Sequence, residues 1–188
     1  MRKLASVLLA GAVALSTLST LATVAYADNP MVGGAAMYAD KNIVENAVNS
    51  KDHTILVAAV KAAGLVETLQ GAGPFTVLAP VNTAFDALPA GTVDTLLKPE
   101  NKDQLVKILT CHVVAAKAMS ADVTKMVMDD GGAHKAKTVG GCELTLKAAD
   151  GKVTVTDENG NVANVTIADV EQSNGVIHVI DAVLLPKM

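Results

Sequence analysis

The sequence predicts an α+β fold, with helices gathered in the first half and strands in the second. Two observations carry this expectation. Up to about residue 110, apolar side chains recur at the spacing of helix faces. From Cys111 onward they form short runs, partly alternating with polar residues, between Gly, Asn and Asp turns. Strict alternation of strand and helix would instead suggest a parallel α/β sheet.

The chain opens with the features of an export signal. Arg2 and Lys3 are positive, Leu4 to Leu18 is uncharged and mostly Leu, Ala and Val, and the segment closes on Ala25-Tyr26-Ala27. Small residues flanking a larger one suit signal peptidase, so residues 1–27 are expected to be removed between Ala27 and Asp28. The alternative is an uncleaved anchor, but the apolar run is shorter than the roughly 20 residues a span needs. A secreted or periplasmic location follows as an expectation. Cleavage would leave 161 of the 188 residues, enough for one domain with a real core. The 15 basic residues, less Arg2 and Lys3, become 13 against 19 acidic ones, a net charge of −6. That balance argues against nucleic acid and anionic membranes as partners. No second segment reads as a membrane span. Beyond residue 27 the aromatics are Tyr38, Phe75 and Phe85, with no Trp, which leaves little for a stacking platform.

Residues 28–37 are rich in Gly, Asn and Pro and read as a flexible lead-in to a domain at 38–188. The apolar stripe predicts a helix over 42–49 and another over 53–63, capped by Asp52 and stopped by Gly64. A further turn covers 65–69. After the Gly71-Ala72-Gly73-Pro74 turn, 75–79 reads as a buried strand ended by Pro80. Asn82 or Thr83 is expected to cap a short helix to Leu88, Thr92 another to Leu97. Pro99 starts a fourth reaching Leu109, with Leu105, Ile108 and Leu109 inward. Strands are expected at 111–114, 135–139, 142–148, 152–156, 162–167 and 176–185. Cys111 and Cys142 are an even pair in a chain expected to be exported, which suggests a disulfide; free thiols are the alternative.

Gly73 to Leu88, GPFTVLAPVNTAFDAL, resembles the first signature of fasciclin domains, and Asn174 to Pro186, NGVIHVIDAVLLP, resembles the second. Between them Leu109 to Val114 is similar to the family's central Tyr-His segment, with Cys111 in place of the Tyr. The resemblance runs from about Tyr38 to the end. It implies a fasciclin-type β-wedge with helices packed around it. It also implies a non-catalytic adhesion or protein-interaction module that binds a cell-surface or extracellular matrix macromolecule. As one domain without a second anchor it would be soluble and monomeric. Integrin recognition, linked to the Tyr-His segment in some animal members, is not carried over because the Tyr is absent.

The motif residues Phe75, Pro80, Asn82, Phe85, His112 and His178 read as mainly structural. Phe75, Val77 and Ala79 share one strand face; Thr76 and Leu78 share the other. Val176, His178 and Ile180 share a face of the last strand, and Ile177 and Val179 the other. A strand apolar on both faces is central, so His178 should be buried and hydrogen-bonded. His53 and His134 read as exposed. No catalytic residue is expected. Cys111 and His112 are consecutive, and strand neighbours point to opposite faces. No serine lies in G-x-S-x-G, and H-E-x-x-H, phosphate-loop and G-x-G-x-x-G motifs are absent. Asp129 and Asp130 read as a solvated loop pair. The alternative function is an exported binder of a small ligand or a metal, haem or copper, with Met119, Met126, Met128 and His134 as soft-ligand candidates. Core gap-filling is the simpler reading of those methionines, and no metal or cofactor is expected.

Overall fold

The structure, a computed structural model, describes residues 29–187. The expected signal segment and its cleavage point lie outside the described residues. The first element is a small hairpin, β1 (Met31–Val32) and β2 (Ala35–Ala36), turned by Gly33 and Gly34. The segment expected to be a flexible lead-in is therefore seated on the domain. Val32 and Met37 are buried in the core, an apolar anchorage that the Gly and Asn content masks.

Helix α1 (Ile43–Ala47) starts at a reciprocal cap. The Asn42 side chain accepts from the Glu45 N–H at 2.9 Å and the Glu45 carboxylate accepts from the Asn42 N–H at 2.8 Å. A 3₁₀ turn at Lys51–His53 leads into α2 (Thr54–Ala63), which stops at Gly64 in the left-handed region. Short α3 (Val66–Gln70) precedes strand β3 (Phe75–Pro80). Helices α4 (Asn82–Asp86), α5 (Thr92–Leu96) and α6 (Lys102–Thr110) follow, the last entered through a 3₁₀ turn at Pro99–Asn101.

The strand-rich half differs from expectation in one major respect. After β4 (Val113–Val114) the chain forms a two-to-three-turn helix, α7 (Ser120–Asp129). Then come β5 (His134–Lys137), β6 (Glu143–Ala149), β7 (Lys152–Thr156), β8 (Val162–Gln172) and β9 (Gly175–Ile180). Asp129 thus ends a helix rather than sitting in a loop. Cys111 caps α6, so the strand expected from 111 begins only at Val113.

The seven strands β3 to β9 form one sheet in the order β4-β3-β9-β8-β7-β6-β5. Every neighbouring pair is antiparallel except β3 and β9, which run parallel next to the β4 edge. These two strands separate two cores. On one side Val77, Ala79, Ile177 and Val179 meet the helices, through Leu56, Val60, Phe85, Ile108 and Leu109. On the other, Leu78 and Ile180 meet Leu144, Leu146, Val155 and Ala163 of the curled sheet, closed by Val123 and Val127 of α7. The alternation read from the sequence is the alternation between these cores. The curled sheet brings its two edge strands together. The Val139 N–H donates to the Val113 carbonyl at 2.7 Å, and a disulfide joins Cys111 to Cys142 with Cα atoms 5.4 Å apart.

Candidate functional site

The two signature segments lie side by side as β3 and β9, with Phe75 opposite Gly175 and Pro80 opposite Ile180. This close pairing explains two glycines. A Cβ on Gly73 would stand 2.1 Å from the Asn174 carbonyl oxygen, and one on Gly175 would stand 2.0 Å from the Phe75 carbonyl oxygen. Asn174, buried between them, is the hub of the junction. It accepts from the Ile43 N–H at 3.1 Å, and its amide donates to the carbonyls of Leu69 at 2.7 Å and Gly71 at 2.9 Å. One side chain thereby fixes the start of α1 and the end of α3 against β3 and β9.

Asn82 does not cap its own helix. It is the first residue of α4, and its side chain turns to α2, where it accepts from the Ile55 N–H at 3.1 Å and the Thr54 hydroxyl at 3.2 Å. Its amide donates to the Lys51 carbonyl at 2.8 Å. It supplies the N-terminal cap of α2, the role the sequence reading gave to Asp52. Pro80 is fully buried at the end of β3, and the next N–H, from Val81, donates to Ile180 at 3.2 Å. Phe85 is buried among the helices, and Phe75 packs partly buried against the same core.

The histidines divide by environment. His112 is buried, donates from Nδ1 to the Ile108 carbonyl at 2.8 Å and accepts at Nε2 from the Leu184 N–H at 2.9 Å. It ties α6 to the segment after β9. Burial lowers its pKa to about 4, against weaker opposing effects of the Ile108 carbonyl and Asp157. His178 is also buried, and both ring nitrogens are engaged. It accepts from the Asp169 N–H at 3.2 Å and donates to the Ala118 carbonyl at 2.8 Å. His53, expected to be exposed, is buried instead: it is 3% exposed, with Nδ1 against the Ser50 hydroxyl at 2.8 Å. Burial lowers its pKa, opposed by the Ala79 carbonyl and the Asp52 charge. Its Nε2 is buried without a hydrogen-bond partner. The 3₁₀ turn before α2 rotates the ring inward, which helix periodicity alone could not show. His134 starts β5, partly buried and paired with Asp130 at 2.6 Å, not in a loop.

Other anchoring residues were missed from sequence. Asp169, at a β-bulge in β8 with φ of 59°, accepts from the Ser120 N–H at 2.6 Å and also from the Ser120 hydroxyl. It holds the start of α7. Asp157 is buried and accepts from the N–H groups of Asn159, Asn161 and Leu185, each at 2.9 Å. Asn46 is buried and binds Tyr38 through both N–H and carbonyl, and Gln172 through its amide. An acidic or amide residue beside a Gly or Asn turn was the available signal for Asp157. For α7 it was Val123, Met126 and Val127 at helical spacing after Asp122.

The candidate thiol and metal ligands read from the sequence are not brought together. The Cys111 sulfur is bonded to Cys142. Among the described residues no group of three or more His, Cys, Asp or Glu side chains could hold a metal. Met126 and Met128 lie two residues apart on α7, so they point to different sides; Met126 packs against the wedge core and Met128 is 72% exposed. Among the described residues no helix is long and apolar enough to cross a membrane.

The fasciclin domain family matches residues 51–186. A protein of Synechocystis, sll1483, is 52% identical over 84% of this chain and 81% of its own length. The immunogenic protein MPB70 of Mycobacterium bovis is 35% identical over 74% of this chain and 66% of its own. The transforming growth factor-beta-induced protein ig-h3 of Sus scrofa is 38% identical over 71% of this chain, which spans 17% of that protein. Among solved structures, a FAS1 domain pair from the insect cell adhesion molecule fasciclin I superposes with a TM-score of 0.68 at 20% identity, over 77% of this chain and 51% of that one. The chain belongs to the fasciclin domain family. Its β-wedge with helices around it is the fold the two signature segments imply.

Proposed function

We propose that this protein is an exported, non-catalytic adhesion or interaction module that binds a cell-surface or matrix macromolecule. The observation that carries the reading is the fasciclin match across residues 51–186. It is supported by relatives described as a cell surface glycolipoprotein, MPB83 of Mycobacterium bovis, and as a cell adhesion molecule. Export rests on residues 1–27, with cleavage before Asp28. The domain acts as a monomer of residues 38–188, and its motif residues hold the fold rather than touch substrate.

The composition sets the strength of such binding. Interface hot spots favour Trp, Tyr and Arg, and residues 28–188 hold no Trp, one Tyr and no Arg. A single copy should bind at about micromolar affinity or weaker and gain strength from display in many copies. Beads densely coated with residues 28–188 should attach to cells or matrix from the native setting, while the free domain competes poorly. Attachment no better than that of beads carrying the heat-unfolded domain would contradict the reading.

A further inference from the structure

The wedge core contains a cavity of about 240 Å³ that the packing around it does not fill. Its walls are Leu78, Leu146, Val153, Val155 and Val165 from the sheet and Val123 from α7. Small side chains, Ala118 and Ala136, also line it. Native cores carry few voids larger than a water molecule, so a space of this size without a packing role is unusual.

Three polar residues that line the cavity, Thr76, Ser120 and His178, are engaged within the protein. The Thr76 hydroxyl donates to the Ala116 carbonyl and accepts from the Ala118 N–H at 2.9 Å. His178 is held by Asp169 and Ala118, and Ser120 by Asp169. Among the described residues the buried side-chain nitrogen or oxygen without a partner is Nε2 of His53, which does not line this cavity. The inner walls are mainly Leu, Val and Ala, and an apolar cavity of this kind favours an apolar guest over water. At the rim, His134 and Lys135 are paired with Asp130 and Glu143, and Lys137 is exposed.

The cavity also has a way in. It is bordered by Val114 and Ala116 on the β4 side and by Ala136 and Lys137 on the β5 side, the two edges of the sheet. These edges are joined at Val113–Val139 and at the disulfide. Farther along, no strand among the described residues pairs with the outer edge of β5, which borders the cavity.

We infer that the wedge is a binding site for one neutral, compact apolar molecule of about ten carbon atoms. The size follows from an engineered 150 Å³ apolar cavity, which takes benzene, so about 240 Å³ suits a medium-chain alcohol or a monoterpenoid. The site is independent of the adhesion reading, because it faces the interior of the sheet and needs no macromolecular partner.

The test is methyl NMR of the native chain titrated with 1-decanol. Saturable one-to-one binding should shift the methyls of Leu78, Leu146 and Val153 and leave those of Leu56 and Val60 in the helical core unchanged. Ala136→Leu should weaken binding at least tenfold while the protein stays folded. Ala118→Leu, which adds bulk at another lining position, should do the same and serves if the first variant does not fold. Absence of saturable shifts, shifts spread over both cores, or decanol binding unchanged in a folded filling variant would overturn the inference.

Discussion

The two cores on either side of β3 and β9 are built from different materials. The helical side receives Phe85 and, partly, Phe75, the only Phe residues in the chain, with long aliphatic side chains from α2 and α6. A space of about 80 Å³ lies among its side chains. Among the described residues the wedge core has no Phe, Tyr or Trp, is lined by Val and Ala as much as by Leu, and keeps about 240 Å³ open. Helices can settle against a sheet until their side chains meet, whereas strands in a curled sheet are held apart by their hydrogen-bond ladder. Space in the wedge must be filled by side chains, and here small ones leave it open. His112 connects the two regions, with α6 on one nitrogen and Leu184 of the wedge core on the other.

The largest expected effect lies on the filled side. Ile108→Ala should cost about 4 kcal/mol in urea unfolding, because its neighbours are packed on all sides. Leu146→Ala should cost about 2 kcal/mol, since Leu146 borders the existing cavity and has fewer contacts to lose. Equal costs would remove the contrast between the cores. Next comes the disulfide at the closure of the sheet. Its 31-residue separation predicts that the double variant Cys111→Ala and Cys142→Ala loses about 3–4 kcal/mol. A loss below about 1 kcal/mol would show that the sheet edges stay together without it.

The joint at His112 should appear in the pH dependence. Its folded pKa of about 4 is below the ordinary 6.5, so between these values the unfolded chain binds a proton that the folded chain does not. Its contribution to stability is present above pH 6.5 and is lost as pH falls towards 4, by about 3 kcal/mol. His112→Gln should be less stable at neutral pH and should lack that part of the slope. An unchanged slope would mean that the ring is not buried neutral. The smallest effects test the contrast by sign. Ala84→Leu, in the filled core, should destabilise by about 2 kcal/mol, while Ala136→Leu, in the wedge, should stabilise by about 1 kcal/mol. Melting curves for the two variants decide it.

The sequence showed much of the scaffold. Helix α2 with its Gly64 stop, the inward face of α6, the two-faced β3 and the burial of His178 all follow from local period and turn chemistry. It was silent wherever a side chain serves a distant segment. Asn82 sits where a local helix cap belongs, yet it caps α2, 27 residues earlier in the chain. His53 looked exposed because a 3₁₀ turn, not a regular helix, sets its direction. Helix α7 was missed because its Met residues and flanking glycines weaken a pattern that packing against β6 then completes. The cavity was equally illegible, since an alanine in a strand reads the same whether its neighbours fill the space or leave it.

Xenon is the most direct probe of the contrast between the two cores, because it occupies apolar voids without needing hydrogen bonds. A crystal of the folded chain held under xenon pressure should show strong density among Leu78, Leu146, Val153 and Ala136, and weaker or no density among Leu56, Val60 and Ile177 on the helical side. Density confined to the helical side, or an empty wedge at saturating pressure, would contradict the account.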